Sequence, residues 1–165
     1  RGSLRDRCED YADRFGVEFH AGEKPWGRVK ADVYMPCATQ NEIGLEDAKR
    51  MIEEGTSKLL IEVANMPTKA EAVEELQKAG FMIAPSKAVN AGGVAVSALE
   101  MSQNAMHLSW TAQEVDEKLH LIMHNIHEQC VKYGKESDGY INYVKGANIA
   151  GFMKVAHAMM AQGIV

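Results

Sequence analysis

Lys58-Leu59-Leu60-Ile61-Glu62-Val63-Ala64 runs straight into Asn65-Met66-Pro67-Thr68, then a helical stretch at residues 69–79, then Gly80-Phe81-Met82-Ile83-Ala84. A seven-residue run dense in Leu, Ile and Val is followed by an amphipathic segment carrying Val73 and Leu76, a glycine stop and a second short apolar run. That order reads as strand, crossover helix and parallel strand. Thr68 and Glu71 stand three apart ahead of the helix and read as its capping box. Upstream, residues 45–54 place Leu45, Ala48, Met51 and Ile52 on one face and stop at Gly55, a second crossover helix. Residues 17–20 and 31–35 are further strand candidates. The first half therefore reads as α/β, with four or five mainly parallel strands expected.

From Ala91 onward no strand signal remains. Helical patterns occupy residues 92–108, 112–133 and 147–162, with Thr111 and Glu114 as a capping box and Ser137-Asp138-Gly139 marking the loop before the last helix. That last helix is apolar over most of its girth and needs partners. An amphipathic spacing at residues 3–15 has no cap ahead of it, which is expected where a chain begins inside something larger.

Composition bounds the function. The chain has 165 residues, 46% apolar and 25% charged, a profile that excludes disorder and permits one full core. A net charge of −5 supplies no basic footprint for a phosphate backbone, so nucleic acid is not an expected partner. No run reaches the ~20 apolar residues of a membrane span. Three scattered cysteines without a CxxC pair argue for neither a disulfide framework nor a zinc site and fit a reducing cytoplasm.

Ligands of an open parallel sheet bind beyond the carboxyl ends of its strands, so the segments just after each strand carry the functional expectation. They are Pro36-Cys37-Ala38-Thr39-Gln40-Asn41-Glu42, Ala64-Asn65-Met66-Pro67-Thr68, and Pro85-Ser86-Lys87-Ala88-Val89-Asn90-Ala91-Gly92-Gly93. Neutral amides and hydroxyls that both donate and accept suit a carboxamide and a ribose better than a bare phosphate. The plainer reading is that Asn, Thr and Pro are good turn residues, and three such loops in one plane weaken it. Gly92-Gly93 opens a long helix whose positive end favours an anion, and Ser97 lies about one and a half turns in. No G-x-G-x-x-G follows any strand, and residues 146–151 lack the Lys-Ser/Thr of a P-loop, so a pyrophosphate site is not expected in this chain. His120, His124 and His127 share a stripe with Asp116 and Cys130. The spacing suits a metal, but with no identifiable partner behind the imidazoles a solvated or interface face is the stronger reading.

At these loops, and at Ser97 through Glu100-Met101-Ser102-Gln103-Asn104-Ala105 and Gly146-Ala147-Asn148-Ile149-Ala150-Gly151-Phe152, the sequence closely resembles glutamate dehydrogenase, in particular the small hexameric NADP-type enzymes. The resemblance runs from about Pro25 to Val165. It implies oxidative deamination of L-glutamate to 2-oxoglutarate and ammonia, with hydride passing to NADP, or to NAD, in a cytoplasmic homohexamer. It implies Ser97 on the side-chain carboxylate of glutamate, Asn65 and Asn90 near the nicotinamide carboxamide and ribose, and Ala38 and Thr39 along the adenosine half. It assigns residues 1–90 to the C-terminal part of a Rossmann-like nucleotide-binding domain lacking its glycine-rich first βαβ unit. Residues 91–165 become a helical extension that packs back towards the substrate domain. The family's catalytic lysine and aspartate precede the point matched by Arg1, so the isolated chain is expected to be inactive, its half-site binding NADP weakly or not at all.

Some positions depart from the family pattern. Val63 and Ala98 stand where glycine is usual, and His107 and His157 where arginine and an acid are usual. Val63 puts the placement of Asn65 most in question, because a branched side chain narrows backbone approach. The alternative expectation is a self-contained, non-catalytic module that binds a nucleotide or a partner chain.

Overall fold

The computed structural model describes residues 7–163. Its order is α1 (Cys8–Phe15), α2 (Leu45–Glu54), β1 (Leu59–Ile61), α3 (Ala70–Lys78), β2 (Met82–Ala84), α4 (Ser86–Val89), α5 (Ala91–Met106), α6 (Ala112–Gly134) and α7 (Tyr143–Gln162). β1 and β2 pair in parallel, Leu60 opposite Ile83. Tyr34 adds a parallel bridge to Leu60 on the other side of β1, its amide donating to Leu59 O at 3.0 Å while its carbonyl accepts from Ile61 N at 2.9 Å. The sheet is therefore parallel as expected, but shorter and narrower than the four or five strands the sequence suggested.

The differences have local causes. Residues 31–35 yield a single bridge, because Pro36 follows Tyr34 by two and has no N–H to continue a ladder. Residues 17–20 form no strand; Val17 and Phe19 stay exposed, and no segment pairs with them among the described residues. Thr68 does not cap α3, since Lys69 is the N-cap residue. Ile43 N donates to Pro67 O and Lys69 N to Ile43 O, both at 2.9 Å, so this stretch stays extended in a parallel bridge between Ile43 and Thr68 before the helix begins. α7 starts at Tyr143, ahead of the expected residue 147, because the Asn142 side chain accepts Lys145 N at 3.0 Å and caps it.

Other expectations stand. α2 occupies residues 45–54 and ends on Gly55 at φ +71°, and Thr111 with Glu114 forms the expected capping box on α6. α1 falls within the expected 3–15 helix, of which residues 3–6 lie outside the described residues.

One core serves the α/β half: Tyr34, Ile43, Ala48, Met51, Leu60, Ala72, Leu76, Phe81 and Ile83, with Trp26 against them. The helical half is held by the crossing of α6 and α7, where glycine permits backbone contact. A Cβ on Gly146 would lie 2.1 Å from Cys130 O, and one on Gly134 2.4 Å from Asn142 O. Tyr140 ties that half to the sheet, its hydroxyl donating to Phe81 O at 2.9 Å.

Candidate functional site

Three loops leave the carboxyl ends of the Tyr34 segment, β1 and β2, and hydrogen bonds join them along one edge. Ala64 N donates to Pro36 O and Asn41 N to Met66 O, each at 2.9 Å, which ties the first loop to the second. Asn41 and Met66 both adopt positive φ, +57° and +45°, the left-handed turns that let the two loops face each other. The second loop reaches the third through Met66 N, 3.4 Å from Ser86 Oγ. Beneath them Glu62, buried, accepts Ser86 N on Oε2 at 2.9 Å, and its own amide donates to Ala84 O at 3.0 Å.

The turns carrying Thr39, Asn65 and Asn90 therefore share one rim of the sheet, and all three side chains are exposed there. Thr39 N lies 3.4 Å from Glu42 Oε2, which closes the first loop on itself. Asn90 sits between α4 and α5 and makes no side-chain capping bond. Ala38 is exposed beside Thr39. Ser97 is exposed on α5 and gives its hydroxyl proton to Gly93 O at 3.2 Å, so it meets a ligand carboxylate only after rotating about χ1. Val63 is half-buried and is not among the positive-φ residues, so glycine's left-handed conformation is not required there.

The rim is distinct from the groove between the helices. A groove of about 530 Å³ lies between α4, α6 and α7, lined by Ile122, Ile126, Ala147 and Ala150 with Lys87 and Lys154 at its edge. None of the residues expected to meet cofactor or substrate lines it. The histidine stripe is not assembled into a centre. His120 lies 3.6 Å from Asp116, His127 stacks on Tyr143 with centroids 5.7 Å apart, and Cys130 turns inward to the α6–α7 crossing, where burial pushes its thiol pKa up. Among the described residues no three His, Cys, Asp or Glu side chains are placed to hold a metal ion. Among them, too, no helix is long and apolar enough to cross a membrane.

Sequence reasoning overlooked the groups under the rim. Glu62 was not singled out within the run at residues 58–64, and Ser86 counted only as one hydroxyl of the third loop. A charge inside a strand run of this kind is the signal that could have singled out Glu62, because a buried carboxylate has to find a donor.

A parallel strand–helix–strand sheet is an α/β architecture, in which ligands bind beyond the carboxyl ends of the strands. The chain belongs to the Glutamate/Leucine/Phenylalanine/Valine dehydrogenase family, whose profile matches residues 3–163. It is 63% identical over 166 aligned positions to the NAD-specific glutamate dehydrogenase of Bacteroides fragilis, covering all of this chain and 37% of that protein. It is 53% identical to the NADP-specific glutamate dehydrogenase of Haemophilus influenzae, covering 99% of this chain and 36% of that protein. A solved glutamate dehydrogenase superposes with a TM-score of 0.90 at 56% identity, over 98% of this chain and 36% of that one. The chain thus spans a little over a third of the length of these relatives. Relatives named for NAD and for NADP both stand close to it, so overall similarity selects neither nucleotide.

Proposed function

We propose that the chain forms one wall of the nicotinamide-nucleotide and glutamate site of a glutamate dehydrogenase, with NADP or NAD as the nucleotide, and that polypeptide beyond these residues supplies the opposite wall. The observation that carries the reading is the hydrogen-bonded joining of the three loops on one edge of a parallel sheet, with Thr39, Asn65 and Asn90 exposed along it. The donor set fits the group. A carboxamide needs one acceptor and one donor, which an Asn side chain offers together, and ribose hydroxyls accept the same neutral partners.

In this reading Asn90 and Asn65 orient the nicotinamide, and Ala38 and Thr39 flank the adenosine half. Ser97, near the positive end of α5, meets the side-chain carboxylate of glutamate. The nucleotide, when bound, supplies hydride chemistry, and this chain's residues supply position. Residues 1–90 act as the C-terminal part of a Rossmann-like nucleotide domain, residues 91–165 as a helical extension against the substrate domain, within a cytoplasmic homohexamer.

The test is a pair of assays. The isolated chain is expected to show no glutamate-dependent reduction of NAD or NADP. The Bacteroides fragilis relative, with this chain substituted for its matching segment, is expected to turn over. Activity in the isolated chain, or none in a folded hybrid, contradicts the reading. Tight calorimetric binding of NADP to the isolated chain would favour a self-contained module instead, because half a site retains the ordering cost without most of the contacts.

A further inference from the structure

We propose that Glu62 is a positioning residue that fixes the Asn65 loop and the Asn90 turn relative to each other, an inference that rests on the proposed nucleotide role of that rim. Glu62 follows directly on β1 and is only 6% exposed. Its Oε2 accepts Ser86 N at 2.9 Å. Ser86 is the first residue of α4, where the amide has no carbonyl partner in the preceding turn, and it too is buried. A buried amide in that position needs an acceptor, and a carboxylate makes a shorter and stronger bond to it than a neutral group does.

The geometry makes this one bond control two loops. On one side, Ser86 Oγ stands 3.4 Å from Met66 N, inside the positive-φ turn that follows Asn65. On the other, Ser86 O accepts Asn90 N at 2.9 Å, which closes the α4 turn and sets where Asn90 begins α5. Glu62 N, bonded to Ala84 O at 3.0 Å, holds the carboxylate's own backbone to the neighbouring strand. Glu62 reaches no ligand-facing surface and acts only through Ser86.

Two measurements test this, and they fail separately. In the isolated chain, amide hydrogen exchange is compared for Glu62→Ala, Glu62→Gln and the core control Leu76→Ala, which weakens the same half from α3 without touching the rim. Glu62→Ala is expected to speed exchange at Ser86, Met66 and Asn90 selectively, beyond the general rise seen in the control, and Glu62→Gln, which keeps an acceptor, to recover much of the protection. Equal acceleration in Glu62→Ala and the control overturns the proposal.

In the hybrid dehydrogenase, Glu62→Ala is expected to raise KM for the nucleotide or lower kcat by roughly tenfold or more, since a displacement of about 1 Å can cost that much. KM for glutamate should move little, and Glu62→Gln should restore most of the loss. A loss no larger than in Leu76→Ala also overturns it. If the unmodified hybrid is folded but inactive, the proposed function falls, while the exchange experiment still decides whether Glu62 sets the two loops.

Discussion

Phe81 and Phe152 carry the same side chain in two halves of one chain, and one is 0% exposed while the other is 69% exposed. Phe81 belongs to a core in which Ile43, Ala48, Met51, Leu60, Ala72 and Leu76 are also fully buried. Phe152 lies on α7 beside Val155, Met159 and Met160, all exposed, and α5 buries no residue at all. Among the described residues from 91 onward, only Cys130, Gly134 and Gly146 are buried. The first half has a closed core around β1 and β2, although Val17, Phe19 and Val29 stay exposed outside it. The second has the expected helices and an apolar surface that nothing among the described residues covers. Helix formation and helix burial are separate events, and only the second requires a partner surface.

The largest effect expected from this contrast is Phe81→Ala, which should cost about 3–5 kcal/mol of unfolding free energy, as for other buried aromatic truncations. Phe152→Ala should change it by less than about 0.5 kcal/mol, as for a surface site, while lowering self-association. Chemical denaturation and light scattering measure the pair, and equal stability losses would erase the distinction between the halves.

A titration sharpens the same division. Burial, aided by the hydrogen bond to Glu54, pushes the Tyr34 hydroxyl from 10.0 up to about 12. The folded state holds that proton more tightly than the unfolded chain. The stabilisation is therefore intact below pH 10 and is lost as pH rises towards 12, on the order of 2 kcal/mol for such a shift. Tyr34→Phe should flatten denaturation midpoints across that interval, and an unchanged alkaline decline would assign it to other groups.

Gly146→Ala should cost about 1–3 kcal/mol by overpacking the α6–α7 crossing. Circular dichroism and near-ultraviolet signals should report loosening of the helical half with the sheet half intact. A fully cooperative loss of both halves would mean that the Tyr140 hydroxyl on Phe81 O couples them more strongly than the burial pattern implies.

Much of this was legible in the sequence. Periodicity and glycine stops placed α2, α3 and the two paired strands, because those signals are local. The rim was legible for the same reason, since amides after strands are a short-range pattern. Thr68 was misread because its pairing with Ile43 is a contact between segments 25 positions apart, which no local cap rule anticipates. The strand expected at residues 17–20 failed because alternation creates a strand only where another edge receives it. Glu62 and Ser86 were passed over because their partnership is visible only once β1 and α4 are side by side.

The central claim is that the turns bearing Thr39, Asn65 and Asn90 constitute a single nucleotide-facing wall. Titrating the isotope-labelled chain with NADP and with NAD, and following every backbone amide by NMR, tests it most directly. Shifts at residues 36–43, 64–68 and 85–93 that rise together with one weak dissociation constant are the expected result. A response centred on the groove between α6 and α7, or one loop shifting while the other two stay still, would contradict it.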